Sequence, residues 1–136
     1  FVGDLARLPL LDQSMDLLLD IFSPANYQEF KRVLAPDGRL VKVIPTAAHL
    51  QEIRQKVKDH LDQADYSNEQ IIQHFSDHFT IENTIHCQET FELTPALREA
   101  LLSMTPLLFH VDPAQIDWTN LTQVTISATI LIGRSN

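Results

Sequence analysis

Residues 8–44 read LPLLDQSMDLLLDIFSPANYQEFKRVLAPDGRLVKVI. Residues 15–22 are almost continuously apolar between charged markers, which is typical of a strand that is covered on both faces in a parallel sheet. Ser23-Pro24 suits the start of a helix, and apolar residues then recur at helical spacing over residues 27–34. The stretch therefore predicts a central strand followed by a helix of about three turns.

A second strand and a second helix are predicted after this first pair. The turn residues Pro36-Asp37-Gly38 end the first helix, and residues 39–44 alternate enough to predict a strand that Pro45 stops. Thr46 is placed to cap the next helix. Glu52 and other polar residues form the solvent face of that helix, and its apolar stripe consists of Leu50, Ile53, Val57 and Leu61. The order strand, helix, strand is that of a crossover unit in a parallel sheet.

The rest of the chain predicts further elements of both kinds. Residues 68–75 suit a short helix, and residues 79–91 contain strand-like residues. Thr94-Pro95 is a cap followed by proline at the first helical position, and it predicts a helix that ends near Pro106. Residues 124–132 alternate and are rich in β-branched side chains, which predicts an antiparallel strand. The whole pattern predicts an α/β layered sheet.

Composition restricts the class of protein. The 136 residues are 44% hydrophobic and 21% charged, which is enough for one core and one domain. The net charge of −8 and the isoelectric point near 5.0 argue that the main phosphate-binding surface for a nucleic acid lies elsewhere, for example on a basic partner domain. The single cysteine, Cys87, excludes an internal disulfide and fits a reducing cytoplasm. No apolar run approaches the roughly 20 residues that span a bilayer.

Several segments together resemble a known enzyme family. DQSMDL at 12–17 and PDGRL at 36–40 resemble the region after the third strand of class I S-adenosylmethionine-dependent methyltransferases. Three further elements resemble the bacterial 23S rRNA (guanine-N1)-methyltransferases in particular. They are DIFSP at 20–24, the combination of Pro45, His49-Leu50 and Glu52, and LLSMTP at 101–106. The resemblance extends over essentially the whole chain.

This resemblance implies transfer of a methyl group from S-adenosylmethionine to N1 of a guanine in a hairpin loop of 23S rRNA. It also implies a Rossmann-like methyltransferase sheet that is truncated in its N-terminal half, with residues 1–136 as the C-terminal portion. Family members carry a zinc-binding module and a glycine-rich cofactor loop before this region, and this chain, which begins with Phe1 rather than Met, contains neither. The cofactor site is therefore expected to be incomplete and the fragment inactive alone, with zinc confined to the missing module.

The fold and the resemblance together indicate a cofactor site. Ligands of open parallel sheets bind outside the carboxyl ends of the strands, which points to Phe22, Ser23 and Pro24. The alternative is a core phenylalanine followed by an ordinary helix start. The resemblance implies that His49 is a histidine that contacts the cofactor near its methionine part. The alternative is an exposed or capping histidine. Asp4 occupies the region where related enzymes bind the adenine amino group, or is a surface aspartate.

Substrate-binding residues are expected around the Met-Thr-Pro element. Met104, Thr105 and Pro106 are candidates for shaping the guanine pocket, although an apolar stripe that ends at Met104 fits a packing role equally well. A base in an RNA loop can splay out and stack on an aromatic side chain, a role open to Phe22 or Phe109. The proton on guanine N1 must leave, but no residue identifies itself as the catalytic base.

A competing cluster of metal-binding residue types lies further along the chain. His74 and His78 are four residues apart, with Asp77 between them and His86 and Cys87 nearby in sequence. Two histidines at this spacing share one helix face and suit zinc, but the glutamate that follows the first histidine in zinc peptidases is missing. A solvated or partly buried histidine pair is the default, and no metal is expected in this chain.

Two other functions and one assembly state stay open. A small-molecule methyltransferase of the quinone-biosynthesis type shares the early pattern, and a noncatalytic interaction module would keep the fold without the activity. If the strand at 15–22 lacks its usual first-strand partner, one row of its backbone donors and acceptors is unpaired. We then expect the chain to cover this edge by self-association, as a homodimer, or to leave residues 1–11 disordered.

Overall fold

A computed structural model describes residues 2–60 and 66–136 of the chain. In chain order the helices and strands are β1 (Met15–Ile21), α1 (Tyr27–Val33), β2 (Leu34–Pro45), α2 (Gln51–Val57), α3 (Glu69–His78), β3 (Phe79–Glu92), α4 (Pro95–Met104) and β4 (Gln123–Ser135). Short 3₁₀ turns lie at Lys58–His60, Pro106–Leu108 and Pro113–Gln115. None of the helices in these described ranges has the length and apolarity that crossing a bilayer requires.

The strands form a four-stranded sheet in the order β1-β2-β4-β3. β1 and β2 run parallel, and α1 connects them. β4 lies antiparallel against β2, from the pair Leu40 and Gly133 to the pair Pro45 and Ala128. The predicted crossover unit and the predicted antiparallel late strand are both confirmed, and the result is a mixed α/β sheet.

The predicted turn at Pro36-Asp37-Gly38 lies within the bounds of β2 as an irregularity in its pairing with β1. Met15 pairs with Leu34 and Leu17 pairs with Arg39, so four residues of β2 loop out against one residue of β1. A Cβ atom on Gly38 would lie 2.9 Å from the Met15 carbonyl oxygen. Gly38 is therefore required by the close approach of the two backbones.

Helix α1 begins later than the sequence predicts. Its N-cap is Asn26, whose side-chain oxygen accepts a hydrogen bond from the Glu29 N–H at 3.2 Å. The predicted start at Ser23-Pro24 is wrong because the Ser23 hydroxyl donates to the Asp20 carboxylate instead. The helix has seven residues, so it makes about two turns rather than three.

Strand β1 is not the central, two-sided strand that its apolar run predicts. In the part of the chain that the structure describes, β1 is an edge strand that pairs with β2 alone. Leu17, Leu19 and Ile21 point to one face and are 53%, 62% and 56% exposed, whereas Asp20 on the other face is buried. The apolar run suits burial on both sides, but the described residues cover only one of them.

The chain divides into two compact units. The first comprises the described residues within Phe1–Pro45, Ser67–Cys87 and Ala128–Asn136. Its core lies where α1 and α3 pack on the sheet, since aromatic and aliphatic side chains from these helices meet residues of β2, β3 and β4. The buried members are Tyr27, Phe30, Leu34, Leu40, Ile44, Phe75, Phe79 and Leu131.

A single arginine ties the segment before β1 to α1 in this first unit. The Arg32 guanidinium donates to the carbonyl oxygens of Leu8 and Leu10 at 3.0 and 2.8 Å, and it pairs with the Asp12 and Glu29 carboxylates, each at 2.6 Å. The hydrogen bond from Arg32 holds the pKa of the Glu29 carboxyl below its ordinary value. These contacts fix the path of the chain into β1.

The second unit comprises the described residues within Thr46–Tyr66 and Gln88–Ser127. The predicted apolar stripe of α2 is confirmed at Ile53 and Val57, which are completely buried, while the predicted Leu61 lies outside the described residues. α2 begins at Gln51, so Thr46 does not cap it. Thr46 Oγ1 instead accepts from the Ala48 N–H at 3.2 Å in the preceding turn. The core consists of Ile53, Val57, Leu108, Val111, Leu121 and Val124.

The other predicted elements are found with small shifts at their ends. The helix predicted over 68–75 is α3, which extends to His78, and the strand predicted over 79–91 is β3. α4 has the predicted cap, because Thr94 Oγ1 accepts from the Leu97 N–H at 3.3 Å. The predicted end before Pro106 is also confirmed.

We predict that the exposed edge of β1 makes the isolated 136-residue chain self-associate. The alternating Leu17, Leu19 and Ile21 present an apolar row beside an edge that pairs with no strand of the described residues, which is a template for strand addition. The substitution Leu19→Lys places a charge on that row and is expected to shift the chain to monomer in light scattering, whereas Gln28→Lys on the exposed face of α1 leaves the mass unchanged. A monomeric wild-type chain at high concentration contradicts this prediction.

Candidate functional site

A buried ion pair anchors the turn that follows β1. Asp20 of β1 and Lys42 of β2 are register partners, and each is only 3% exposed. Lys42 Nζ donates to Asp20 Oδ2 at 2.6 Å and to the Ser23 carbonyl oxygen at 3.1 Å, while the Ser23 hydroxyl donates to Asp20 Oδ1. Two charged side chains thus hold the backbone at the carboxyl end of β1.

Phe22 lies between these anchors in a left-handed backbone conformation. Its φ of 50° is unfavourable for residues other than glycine. Its N–H donates to the Val43 carbonyl oxygen at 3.0 Å, so pairing with β2 continues for one position beyond β1. Phe22 is 49% exposed, so the alternative of a core phenylalanine is wrong. Ser23 and Pro24 are exposed as well, and the turn presents an aromatic ring beside a proline.

His49 is half-buried in the turn between β2 and α2. Its Nδ1 accepts a hydrogen bond from the backbone N–H of Ser127 at 3.2 Å. Burial, followed by the nearby positive charge of Arg54, holds the pKa of the imidazole below its ordinary value. A neutral ring whose Nδ1 accepts carries its proton on Nε2, so His49 has a hydrogen-bond donor at Nε2.

Glu52 binds β4 through Thr125. Its two carboxylate oxygens accept from the Thr125 N–H at 2.9 Å and from the Thr125 hydroxyl at 2.5 Å. Burial acts to raise the pKa of Glu52, but these hydrogen bonds outweigh it and hold the pKa below its ordinary value. The prediction that Glu52 belongs to the solvent face of α2 is therefore wrong. Leu50, between His49 and Glu52, has a left-handed φ of 52°.

The Met-Thr-Pro element separates into buried and exposed side chains. Thr105 is buried, and its hydroxyl donates to the Leu101 carbonyl oxygen at 2.6 Å at the end of α4. Pro106 opens a 3₁₀ turn. Met104 and Phe109 are 70% and 66% exposed, so the packing role considered for Met104 is not found. Two large apolar side chains on one short surface segment are typical of a contact surface.

Asp4 uses its carboxylate in a local turn. Its Oδ1 accepts from the Ala6 N–H at 2.9 Å, and its carbonyl oxygen accepts from the Arg7 N–H at 3.0 Å. Val2, before this turn, is fully exposed and is not part of a strand, and Phe1 lies outside the described residues. The adenine contact stays a prediction for Asp4.

His74 and His78 pack around a buried tyrosine. Their ring centroids lie 5.0 and 5.1 Å from that of Tyr27. Burial, with the nearby charge of Asp20, raises the pKa of Tyr27 to about 12. The histidine pair therefore packs on the aromatic core.

The other members of the predicted metal cluster bind separate partners. Asp77 accepts from the Gln73 side chain at 2.9 Å, and His86 Nδ1 lies 3.0 Å from the Thr129 hydroxyl. Cys87 donates to the Ala128 carbonyl oxygen at 3.7 Å. Within residues 2–60 and 66–136, no group of three or more histidine, cysteine, aspartate or glutamate side chains is arranged to hold a metal ion.

Known proteins are similar to this chain along most of its length. YxjB of Bacillus subtilis, which bears the name of a 23S rRNA (guanine-N1)-methyltransferase, is 33% identical over 135 residues, or 97% of this chain. A protein of Micromonospora griseorubida that bears the same name is 34% identical over 81% of this chain. The 23S rRNA (guanine(748)-N1)-methyltransferase of Streptomyces fradiae is 26% identical over 93% of it.

The chain matches the C-terminal part of the 23S rRNA (guanine-N1)-methyltransferase family. It spans about half the length of the first and third relatives, 48% and 47%, and 37% of the second. No model of a protein family matches the sequence. The predicted resemblance is confirmed by these relatives.

Solved structures share the fold, among them two of proteins that are named as methyltransferases. The methyltransferase BH2331 of Bacillus halodurans superposes with a TM-score of 0.54 at 14% identity, covering 97% of this chain and 69% of that one. MccD superposes with a TM-score of 0.55 at 15% identity, covering 98% of this chain and 66% of that one. A geranyl diphosphate methyltransferase superposes with a TM-score of 0.50 at 14% identity, covering 98% of this chain and 51% of that one. At such identities the likeness shows the fold alone, and it confirms the Rossmann-like methyltransferase sheet predicted from the sequence.

Sequence reasoning missed Lys42 and the pairing roles of Asp20 and Glu52. A signal for the ion pair was present, because a lysine interrupts the apolar strand LVKVI at 40–44 and an aspartate interrupts LLLDI at 17–21. A charge inside an apolar strand needs a partner when buried, and the parallel register supplies it. The bonds of Glu52 to a residue 73 positions away had no local signal.

We predict that His49 makes the folding stability of this chain depend on pH. The pKa of His49 in the folded chain lies below the ordinary 6.5. Below about pH 6.5 the unfolded chain therefore binds more protons than the folded chain, and the free energy of unfolding decreases as the pH is lowered. His49→Asn keeps an acceptor for the Ser127 N–H but does not titrate. Urea unfolding between about pH 7 and about pH 5.5 is expected to show a smaller decrease for the variant. Equal decreases for both proteins contradict the assignment.

We also predict that Phe22 stores backbone strain. Glycine adopts the left-handed conformation without the steric cost that alanine carries. Phe22→Gly is therefore expected to be more stable than Phe22→Ala by about 1 kcal/mol, the reverse of the order at an ordinary position. Denaturant unfolding of the two variants measures this difference, and an alanine variant of equal or greater stability contradicts it.

Proposed function

We propose that the protein that contains this chain transfers a methyl group from S-adenosylmethionine to N1 of a guanine in a hairpin loop of 23S rRNA. The observation that carries this proposal is the similarity of almost the whole chain to relatives that bear this activity in their names. In this proposal the chain is the C-terminal portion of the methyltransferase domain. The zinc module and the glycine-rich cofactor loop belong to a preceding part of the longer protein.

Two sets of described residues, His49 and residues 22–24, have side chains that suit binding of different parts of the cofactor. His49 offers a neutral imidazole with a donor at Nε2, which suits a carboxylate such as that of the methionine part. Residues 22–24 offer an exposed ring and a proline, which suit the flat surface of a nucleoside. When bound, S-adenosylmethionine supplies a methyl group that its sulfonium makes electrophilic. The contribution of these residues is to hold and orient the ligands and to exclude water.

Exposed apolar side chains support binding of the RNA base. Phe22 and Phe109 are aromatic and about half and two-thirds exposed, and Met104 extends the second surface. A base that is splayed out of an RNA loop stacks on such rings. Pro106 shapes the same segment, whereas Thr105 supports it from the inside through its bond to Leu101. We assign no catalytic base.

The negative charge of the chain supports a model in which another part of the longer protein binds the RNA phosphates. A net charge of −8 repels phosphates, so the electrostatic attraction to RNA is expected from a basic surface of the longer protein. We propose a cytoplasmic location, consistent with the single unpaired Cys87. A homodimer that covers the β1 edge belongs to the same proposal.

The test compares His49→Asn with wild type in the full-length protein. The variant keeps the acceptor for Ser127 and loses the Nε2 donor, so calorimetry is expected to show binding of S-adenosylmethionine about 10–100-fold weaker, as for loss of one hydrogen bond to a charged group. Gln55→Ala, on the exposed face of α2, is the matched control and binds as wild type does. Wild type is expected to methylate guanine N1 in a 23S rRNA hairpin. Methylation of a small molecule but not of the hairpin would contradict the proposal.

A further inference from the structure

We propose that Lys42 and Asp20 are positioning residues that set the conformation of the turn at residues 22–24 for methyl transfer. This inference rests on the proposed function, because it assigns that turn to the ligands of the reaction. Neither residue is expected to touch a ligand, since both are buried on the core side of the sheet.

The contacts of Lys42 and Asp20, other than the bond between them, are made to the turn at residues 22–24. Lys42 Nζ makes one contact across the strands, to Asp20, and one beyond the end of β1, to the Ser23 carbonyl oxygen. Asp20 in turn accepts the Ser23 hydroxyl. Ser23 is therefore held at its carbonyl and at its side chain by two residues of neighbouring strands.

The turn needs such anchors because its backbone is strained. Phe22 precedes Ser23 and has a φ of 50°, a conformation that persists only where neighbouring contacts enforce it. The Phe22 N–H is fixed by Val43, the direct neighbour of Lys42 on β2. With both sides of Phe22 held, the direction in which its side chain leaves the backbone is fixed even though the turn lies at the surface.

Stability alone does not account for the pair. Removing two charges from water costs about as much as their attraction returns, and apolar replacements of similar size are often neutral or stabilising. The side chains of Lys42 and Asp20 are 4% and 2% exposed, so this argument applies to them in full. A role in fixing the turn gives a reason for two charges inside an apolar strand pair.

The experiment replaces both charges at once in the full-length protein. Asp20→Leu with Lys42→Met removes the anchors without leaving an unpaired charge. We expect an unchanged or higher melting temperature, because the core stays filled. We also expect about tenfold faster hydrogen exchange at the Phe22 and Ser23 amides with no change along β4, and a kcat for methylation of the hairpin about 100-fold lower with a similar KM for S-adenosylmethionine.

A second ion pair in the same unit is the matched control. Arg39 of β2 pairs with Glu82 of β3, and both side chains are about one-third exposed. Arg39→Met with Glu82→Gln removes two charges from the sheet but leaves the turn untouched, so exchange at the Phe22 and Ser23 amides and kcat are expected to stay at the wild-type values.

The outcomes separate the inference from the function on which it rests. Unchanged exchange at the Phe22 and Ser23 amides and unchanged kcat overturn the positioning role, as does a uniform increase in exchange along β2 and β4. If the double variant does not fold, Ser23→Ala tests the same anchors at an exposed position, with faster local exchange and about tenfold lower kcat expected. A wild-type protein that does not methylate the hairpin overturns the proposed function, while the exchange measurement still decides whether the pair fixes the turn.

Discussion

The parallel pairing of β1 with β2 is the constraint on which the rest of the described structure depends. Its register places Asp20 opposite Lys42 on the buried face. A shift of β1 by one residue would turn its side chains to the opposite face, so Asp20 would leave the buried face and Lys42 would be buried without its partner. The ion pair therefore specifies the register more strictly than the interchangeable leucines around it. Gly38 permits the bulge through which β2 enters this pairing.

The strained residues lie close to the proposed ligand-binding residues. Phe22 follows β1 and Leu50 follows His49, and both have φ angles near 50° without being glycine. Such strain persists where surrounding contacts determine the backbone, and it is common where a site is pre-organised. In the first unit those contacts come from the ion pair, and in the second the Leu50 N–H donates to the Thr125 carbonyl oxygen at 2.8 Å.

Periodicity predicted the elements well because it depends on contacts that every core requires. The stripe of α2, the cap of α4 and the strand β4 are found as the sequence indicates. Periodicity cannot say which neighbour covers a face, so the apolar run of β1 predicted a central strand where the described structure has an edge. The start of α1 was predicted too early because Ser23 has a competing partner in Asp20.

The sequence predicted those features of the candidate site that depend on residue type. It did not predict the features that depend on contacts between residues far apart in the chain. The family resemblance identified His49, but only the bond from Ser127, 78 positions away, indicates which ring nitrogen carries the proton. Met104 and Thr105 are adjacent, yet the larger and more apolar Met104 is exposed and Thr105 is buried, because the end of α4 turns them in different directions. The anchored turn at Phe22 has an evolutionary consequence. Because the backbone is set by neighbouring residues, the ring can be exchanged for another side chain while the scaffold keeps its shape. Under the role proposed for this turn, acceptor preference can therefore diverge among descendants through this one position.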